Sequence, residues 1–397
     1  MDKIFFSVFI ISFFKFYYLL ISVSFYAYIP LFFAAGGFDE RKVGALFALQ
    51  SFMAILTYLP SGIINDKISA KRQIIIATFI YSLFLLLLNF STSYLHFTAL
   101  FILWGISATM IDNSTNVIYY KQSRLINNRF FFAFFAITAT MAYAFGGKLG
   151  AFLTAGNNFS LLFKVLFAMS LILISLSYFL TDTRVSSVKL SDYKDDIFSF
   201  DSLLIAANLF LFTYHWGAEL TYFTLFLTKT AGLGLNDVSY IYMEVGFVMS
   251  AIIFSLGIFK EKIRLKASAA LLIAVAFSGG SQIAMFHIRN LDGALFNQFL
   301  HSIGDACFIY YWLNIIPETF KYEKLGGASS FVNLFTVISV VSGSFISSVA
   351  VRAFETPYAA FFISACLTFS IYPLALFERF KKSKHLNSIK IMEATAK

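Results

Sequence analysis

The strongest constraint on this chain is the recurrence of long apolar segments. Runs of about 20 mostly apolar residues, the length that crosses a hydrocarbon core, follow one another along the sequence with short polar breaks between them. Of the 397 residues, 59% are hydrophobic and only 13% are charged. A water-soluble protein of this length has too little interior to bury that much apolar surface. We therefore exclude a soluble fold and predict an all-α membrane protein.

Breaks in hydropathy divide the chain into twelve predicted transmembrane helices. The first apolar run is too long for the core of a signal peptide and has no small-residue cleavage site, so we expect it to be retained as a span. The predicted spans are 4–33, 42–61, 73–91, 94–118, 130–154, 160–180, 201–228, 238–259, 267–287, 293–316, 327–351 and 357–377.

The basic residues indicate the orientation of these spans. With both termini in the cytoplasm, most of the 30 Lys and Arg residues lie on the cytoplasmic side, as the positive-inside rule requires. The net charge of +9 is then explained by topology, and we expect no nucleic-acid partner. The sequence predicts a multi-pass protein of the cytoplasmic (inner) membrane. The basic residues left on the outer side are Arg41, Lys42, Lys229, Arg289 and Arg352.

The chain divides into two similar halves. Residues 62–71 read GIINDKISAK and residues 257–266 read GIFKEKIRLK, and each segment follows the second span of its half. Two repeated bundles suit a transporter, because one half can rock against the other around a central site. The predicted domains are an N-terminal six-helix bundle (1–180), a cytoplasmic linker (181–200), a C-terminal six-helix bundle (201–380) and a cytoplasmic tail (381–397).

The pattern Gly62-x3-Asp66-Lys67-x3-Lys71-Arg72 resembles the signature loop of the major facilitator superfamily, and GIFKEKIRLK stands where that family has a second copy. Together with the span count and the half-repeat, the resemblance covers the whole chain. It implies two pseudo-symmetric six-helix bundles around a central site formed by spans 1, 4, 7 and 10.

The resemblance also implies a latch at the cytoplasmic side. There the glycines let helix ends pack closely, and the acidic residues accept hydrogen bonds from the N-terminus of a helix in the other half. A plain cluster of topogenic charges is the alternative. The predicted gating residues are Gly62, Asp66, Lys67, Lys71, Gly257, Glu261 and Lys262.

Within the superfamily, the segments FFKFYYLLISVSFYAYIPLFF and QFLHSIGDACF resemble the lactose permease and related sugar and phenylpropionate proton symporters. His301 falls where those carriers have a helix-10 histidine. Their acidic partner follows after three residues, whereas Asp305 follows after four, and span 9 lacks the arginine of their charge network. Drug antiporters match less well, because Trp104 stands near their span-4 arginine and span 5 lacks their Gly-Pro pair.

Ionisable side chains inside the spans are functional candidates, because each one costs several kcal/mol in a bilayer unless it is paired or hydrated. Spans 7 and 10 each present a histidine one turn from a carboxylate on a polar face. Coupling requires a carboxylate that exchanges a proton as its exposure changes, and a neighbouring imidazole can tune that exchange. Alternatively, these groups only hold the two helices in register. The two faces are His215, Glu219 and Tyr222 in span 7 and Asn297, His301 and Asp305 in span 10.

The first half offers a second set of candidates. Asp112 in span 4 is expected to pair with Lys15 or Lys148 across the cavity, either as a structural ion pair or as a substrate contact. The predicted proton-coupling residues are Glu219 as first choice, then Asp305, with His301, His215 and Asp112. The predicted substrate-binding residues are Trp104, Asn116, Trp216, Tyr222, Asn297, Lys15 and Lys148.

The sequence thus predicts a monomeric proton-coupled symporter that moves a small organic solute across the lipid bilayer, without a cofactor or a metal. One alternative is a proton-driven antiporter that exports a drug-like or siderophore-like compound. A more remote one is a polytopic membrane enzyme that uses the His/acid pairs as a metal site or as acid and base. Neither pair is an HExxH motif and spacing supplies no third ligand, so we do not expect an enzyme.

Overall fold

The computed structural model describes residues 3–38, 40–125, 129–155, 158–183, 188–263 and 265–376, and the regular secondary structure in these ranges is entirely helical. Twelve principal helices follow one another, and short helical segments lie in the connections. The principal helices are α1 (Lys3–Tyr26), α2 (Glu40–Lys67), α3 (Ala70–Leu88), α4 (Tyr94–Leu125), α5 (Arg129–Leu153), α6 (Phe159–Ser177), α7 (Phe200–Leu225), α8 (Leu235–Ile258), α9 (Ala267–Ala284), α10 (Leu291–Thr319), α11 (Leu325–Phe354) and α12 (Tyr358–Phe369).

Each predicted span corresponds to one of these helices. Within the described residues, ten helices are long and apolar enough to cross a membrane, and α7 makes an eleventh when it is taken with the short helical segment before it, from which it bends by 71°. The remaining helix, α10, has 29 residues and is long enough to span. Its polar face, which includes Asn297, His301 and Asp305, interrupts its apolar sequence.

The predicted first span, 4–33, corresponds to one membrane-spanning segment, Phe6–Phe33, whose helix is interrupted. α1 ends at Tyr26, and a separate short helix covers Ile29–Ala35. Pro30 explains the break, because proline has no N–H to donate to the carbonyl four residues earlier and its ring clashes with that carbonyl. The helix therefore restarts after one turn instead of continuing.

Helix contacts repeat in corresponding pairs along the two halves of the chain. α1 packs on α5, α2 on α4, and α3 on both α4 and α6; in the second half α7 packs on α11, α8 on α10, and α9 on both α10 and α12. Across the halves, α2 packs on α11 and α5 on α8. This pattern agrees with two six-helix bundles, while the domain boundaries at 180 and 201 stay a prediction.

Small residues allow the closest of these contacts. In α7, Gly217 lies against α11 so closely that a Cβ would overlap the carbonyl of Val340. The Ser344 hydroxyl of α11 donates to the Gly217 carbonyl at 2.9 Å. Transmembrane helices gain little from the hydrophobic effect in lipid, so such close backbone approach supplies much of their association. The position of α7, which carries part of the candidate site, is thereby fixed against α11.

We predict that Gly217→Ala destabilises the protein by roughly 1–3 kcal/mol, because the added methyl overpacks the α7–α11 contact. Thermal unfolding of the purified protein in detergent would measure the effect. Gly44→Ala in α2 is the matched control, since a Cβ there meets no atom within 4 Å. Equal melting temperatures for the two variants would contradict this account of the α7–α11 contact.

Candidate functional site

Two histidines and two carboxylates from α7 and α10 meet within the second half of the chain. His301 Nε2 lies 3.1 Å from Glu219 Oε1, and His215 Nε2 lies 3.2 Å from Asp305 Oδ1. His301 Nε2 is also 3.6 Å from Asp305 Oδ2, and the two imidazole centroids are 5.2 Å apart. The closest carboxylate to each histidine thus belongs to the other helix. We call these four residues the central cluster.

The opposite side of each imidazole ring is held by an acceptor. His215 Nδ1 lies 2.5 Å from the carbonyl of Phe212, so this nitrogen must donate. His301 Nδ1 lies 2.9 Å from the Ser281 hydroxyl, which itself donates to the Ser278 carbonyl and therefore accepts from the imidazole. Both Nδ1 atoms carry a proton, and both Nε2 atoms face carboxylates.

Neighbouring side chains orient the two carboxylates. Trp216 donates to Asp305 Oδ2 and Ser278 donates to Asp305 Oδ1, both at 2.7 Å. Gln282 donates to Glu219 Oε1 at 2.5 Å. The serine and glutamine partners come from α9, where the segment SGGSQ interrupts an apolar span. The sequence analysis did not identify this polar face of α9, although the polar segment SGGSQ indicates it.

Burial within the central cluster is uneven. The side chain of Glu219 is 19% exposed, against 7% for Asp305, 3% for His301 and 0% for His215. Glu219 is therefore the member of the cluster that is most accessible to water.

A second polar cluster joins α1 and α4 in the first half. Lys15 Nζ donates to Asn116 Oδ1 at 2.5 Å and lies 3.7 Å from Asp112 Oδ1. Asn116 Nδ2 donates to Asp112 Oδ2 at 3.2 Å, and the Tyr58 hydroxyl donates to the same oxygen at 3.4 Å. The sequence left two partners open for Asp112, Lys15 and Lys148, and in the structure Asp112 lies beside Lys15.

The signature loop lies at the contact between the two halves. Asp66 is completely buried, and its Oδ1 is 2.7 Å from Lys121 Nζ. The backbone N–H groups of Gly326 and Gly327, at the start of α11, donate to Asp66 at 2.9 and 2.8 Å. Asp66 therefore lies at a helix N-terminus of the other half, as the resemblance implied. A Cβ at Gly62 would overlap Ser330 of α11.

The segment that connects the halves also contacts Asp66. We call the contacts of Asp66 with Lys121, with the start of α11 and with this segment the latch. The Tyr193 hydroxyl donates to Asp66 Oδ2 at 2.9 Å, and its ring fills the space next to Gly327. Burial, reinforced by the adjacent Asp66 carboxylate, raises the pKa of Tyr193 well above its ordinary value, so the phenol keeps the proton it donates. Lys324 anchors the same segment through the Asp192 carbonyl, at 2.5 Å, and the Asp196 carboxylate, at 2.9 Å. Sequence reasoning missed both Lys121 and Tyr193.

Three other predicted gating side chains lie outside the latch. Lys71 donates to the Tyr178 carbonyl of its own half at 2.7 Å, and Lys67 and Lys262 are exposed. Gly257 faces α5, where a Cβ would press on Phe132 and Ala133. The side chain of Glu261 lies outside the described residues.

Some predicted substrate contacts are better explained by packing. Trp104 is 4% exposed and lies among the rings of Phe25, Phe84 and Phe101, so it fills the core of the first half. Asn297 is likewise buried, with its amide 3.6 Å from the sulfur of Met285.

The other three predicted contacts are more accessible. Trp216 and Tyr222 are half-buried, and Trp216 is bonded to Asp305. Lys148 is exposed and lies 5.7 Å from the ring centroid of Tyr240.

We expect Tyr193→Phe to loosen the latch, because a hydrogen bond to a buried carboxylate contributes about 1.5–3 kcal/mol and about 1.4 kcal/mol is a factor of ten in an equilibrium. A cysteine introduced at buried Ala328, in a chain with Cys307 and Cys366 replaced by Ser, would report opening by its rate of maleimide labelling. The rate should rise roughly tenfold or more. Tyr178→Phe, at an exposed tyrosine, is the control. An unchanged rate in Tyr193→Phe would remove this residue from the latch.

Comparison with known proteins agrees with this architecture. The family model described as Major Facilitator Superfamily matches residues 4–296. Among solved structures, the human organic anion transporter MFSD10 (TETRAN) superposes with a TM-score of 0.74 at 14% sequence identity, covering 94% of this chain and 100% of that one. At this identity the likeness concerns the fold alone. No curated protein sequence matches the chain.

Proposed function

Because the chain belongs to the major facilitator superfamily, whose members are membrane transporters, we propose that it is a proton-coupled symporter of a small organic solute that works by alternating access. Membrane transport follows from the family, and the alternative of a membrane enzyme is set aside on the same ground. Proton coupling, the direction of transport, a monomeric state, the inner-membrane location and the cytoplasmic position of both termini are parts of the proposal.

The observation that carries the proposal is the hydrogen-bonding geometry of the two histidines in the central cluster. Since both Nδ1 atoms donate, a neutral imidazole would turn the lone pair of Nε2 toward a carboxylate oxygen. Two acceptors 3.1 or 3.2 Å apart repel each other, and the contact becomes favourable only when a proton lies between them. The two histidine–carboxylate pairs therefore form a site for up to two exchangeable protons.

The arrangement also gives the protons a path. Glu219, the most exposed member, exchanges a proton with the cavity and shares it with His301. His301 contacts Asp305, and Asp305 contacts His215, so a proton entering at Glu219 can be redistributed over both helices. Because the four groups lie within contact distance, a proton on one of them changes the charge that the others face.

Alternating access requires that the two ends of the central site open in turn. The latch around Asp66 joins α2 to α11 and keeps one end closed, and we assign that end to the cytoplasmic side. Opening toward the cytoplasm then requires Asp66 to give up the N–H groups of α11 and the Tyr193 hydroxyl. Lys121 belongs to the same half as Asp66 and can neutralise it in both states.

We expect the medium to become alkaline when a transported solute is added to weakly buffered, de-energised cells that contain the protein, because each solute enters with a proton. Candidate solutes added in pools identify the substrate by the same readout. Cells without the protein are the control.

Other outcomes of this measurement are equally specific. Acidification would indicate exchange of protons for solute, which is the antiporter alternative. Sodium-dependent uptake without a pH change would contradict proton coupling.

Metal analysis of the purified protein is a separate test. Ligand atoms of His215, Glu219 and His301 all lie within 4.8 Å of one another, so a stoichiometric transition metal would also overturn the proton assignment.

We predict that Glu219→Gln abolishes solute accumulation against a gradient but preserves solute exchange, because the variant loses the exposed proton acceptor and keeps the shape of the site. Uptake into proteoliposomes with and without an imposed pH gradient separates the two activities. Glu244→Gln in α8 removes a carboxylate of the same half outside the central cluster and should retain uphill transport. Uphill accumulation by Glu219→Gln would exclude Glu219 as the proton carrier.

A further inference from the structure

The cluster of Lys15, Asp112 and Asn116 contains two opposite charges that are close but do not touch. The Lys15 ammonium and the nearest Asp112 oxygen are 3.7 Å apart, beyond the length of a hydrogen bond. The amide of Asn116 bridges the two side chains, accepting from Lys15 through Oδ1 and donating to Asp112 through Nδ2. Part of the hydrogen bonding of each charged group is thus directed to the amide instead of to the opposite charge.

Among the residues that the structure describes, the partners of each charged group leave part of its hydrogen-bonding capacity unused. An ammonium has three N–H bonds, and Lys15 directs one to Asn116 and faces the ring of Phe135 at 4.6 Å from its centroid. Asp112 Oδ2 has two donors, while Oδ1 has the Lys15 contact at 3.7 Å. A purely structural ion pair at this depth would gain by closing to hydrogen-bond contact, since separated charges are costly in a bilayer.

The chemistry of the site fits a ligand that itself carries both charges. We propose that Lys15, Asp112 and Asn116 bind the head group of a zwitterionic α-amino acid, with the ligand ammonium on Asp112 and the ligand carboxylate on Lys15 and the Asn116 amide. The amino nitrogen and a carboxylate oxygen joined through one Cα lie about 3 Å apart, close to the separation of the protein charges. This inference rests on the proposed function, because it names the solute class of that transporter.

Net charge separates this ligand class from others. The Lys15–Asp112 pair is neutral, and a zwitterion leaves it neutral while supplying a partner for each charge. A monocarboxylate or a simple amine would add an uncompensated charge inside the membrane, at a cost of several kcal/mol. A sugar would leave both charges without an ionic partner. Asp112 is also the more accessible group, with 36% of its side chain exposed against 11% for Lys15, so a ligand ammonium can reach it from the exposed side.

Exchange across proteoliposomes without any ion gradient tests the inference separately from proton coupling. Vesicles loaded with pooled L-α-amino acids should take up a labelled amino acid. The matched probes that lack one charge, the des-amino carboxylic acid and the decarboxylated amine with the same side chain, should exchange at least tenfold more slowly. Failure of the wild-type protein to exchange any α-amino acid, or faster exchange of a monocarboxylate or a sugar, overturns the inference.

Substitutions should shift the charge selectivity in opposite directions. Asp112→Asn leaves Lys15 alone and should favour the des-amino acid over the amino acid by at least tenfold, whereas Lys15→Met should favour the amine. Lys164→Met in α6 is the control and should keep the wild-type preference. Because each variant is judged by a ratio of substrates, a loss of folded protein does not imitate the result. Unchanged ratios in both variants overturn the inference.

The two proposals fail in distinguishable ways. Amino-acid exchange without alkalinisation of the medium would retain this site and reject proton symport. Alkalinisation driven by a sugar or a monocarboxylate would retain proton symport and reject the amino-acid site.

Discussion

The cost of an uncompensated charge in a bilayer is the constraint on which the rest of this structure depends. An ionisable group at membrane depth persists only when it is paired, hydrogen-bonded or hydrated. Three groups of buried charges meet this requirement in different ways. Asp66 is bonded to Lys121 and to backbone N–H groups of α11, so its charge is fully compensated. The Lys15–Asp112 pair is bridged by the Asn116 amide, and the central cluster sets a histidine Nε2 against each carboxylate. The first arrangement suits a latch, and the other two leave capacity for ligands.

The fold could be predicted from the sequence to a large extent, because a membrane protein displays its architecture in hydropathy. The recurrence of apolar runs and the repeated loop predicted all-α spans of the major facilitator type, and the family match and the fold match confirm this. The lactose permease branch stays a prediction. Individual residues account for the features that the hydropathy pattern did not predict. Pro30 interrupts the helix of the first span, and the polar face of α10 lowers the hydropathy of a helix that is long enough to cross the membrane.

From the sequence, the residues of the candidate site could be predicted only for each helix separately. Spacing placed His215 and Glu219 on one face and His301 and Asp305 on another, and all four do meet. The pairing was not predictable, because which carboxylate faces which imidazole depends on the rotation of α7 against α10, and a linear pattern does not contain that angle. The same limit hid Lys121, which a charge count treats as a topological signal. Tertiary packing brings residues of other helices into a site, and the sequence pattern of a single helix does not show that packing.

The two clusters proposed to bind solute and protons lie in different halves of the chain, on α1 and α4 and on α7 and α10. In the proposed mechanism, bound ligand and bound proton influence each other through the relative position of the halves, which meet at the α2–α11 and α5–α8 contacts. Each can shift that equilibrium only by its difference in affinity between the two states. Electrostatics supplies such a difference. On the proposed function, two protons make the central cluster neutral and a zwitterion keeps the Lys15–Asp112 pair neutral, so the fully loaded carrier would expose the least net charge to the membrane interior while its halves move. In the same mechanism, a carrier that has lost one proton would retain a negative charge beside Glu219 and would be held back until the proton is replaced.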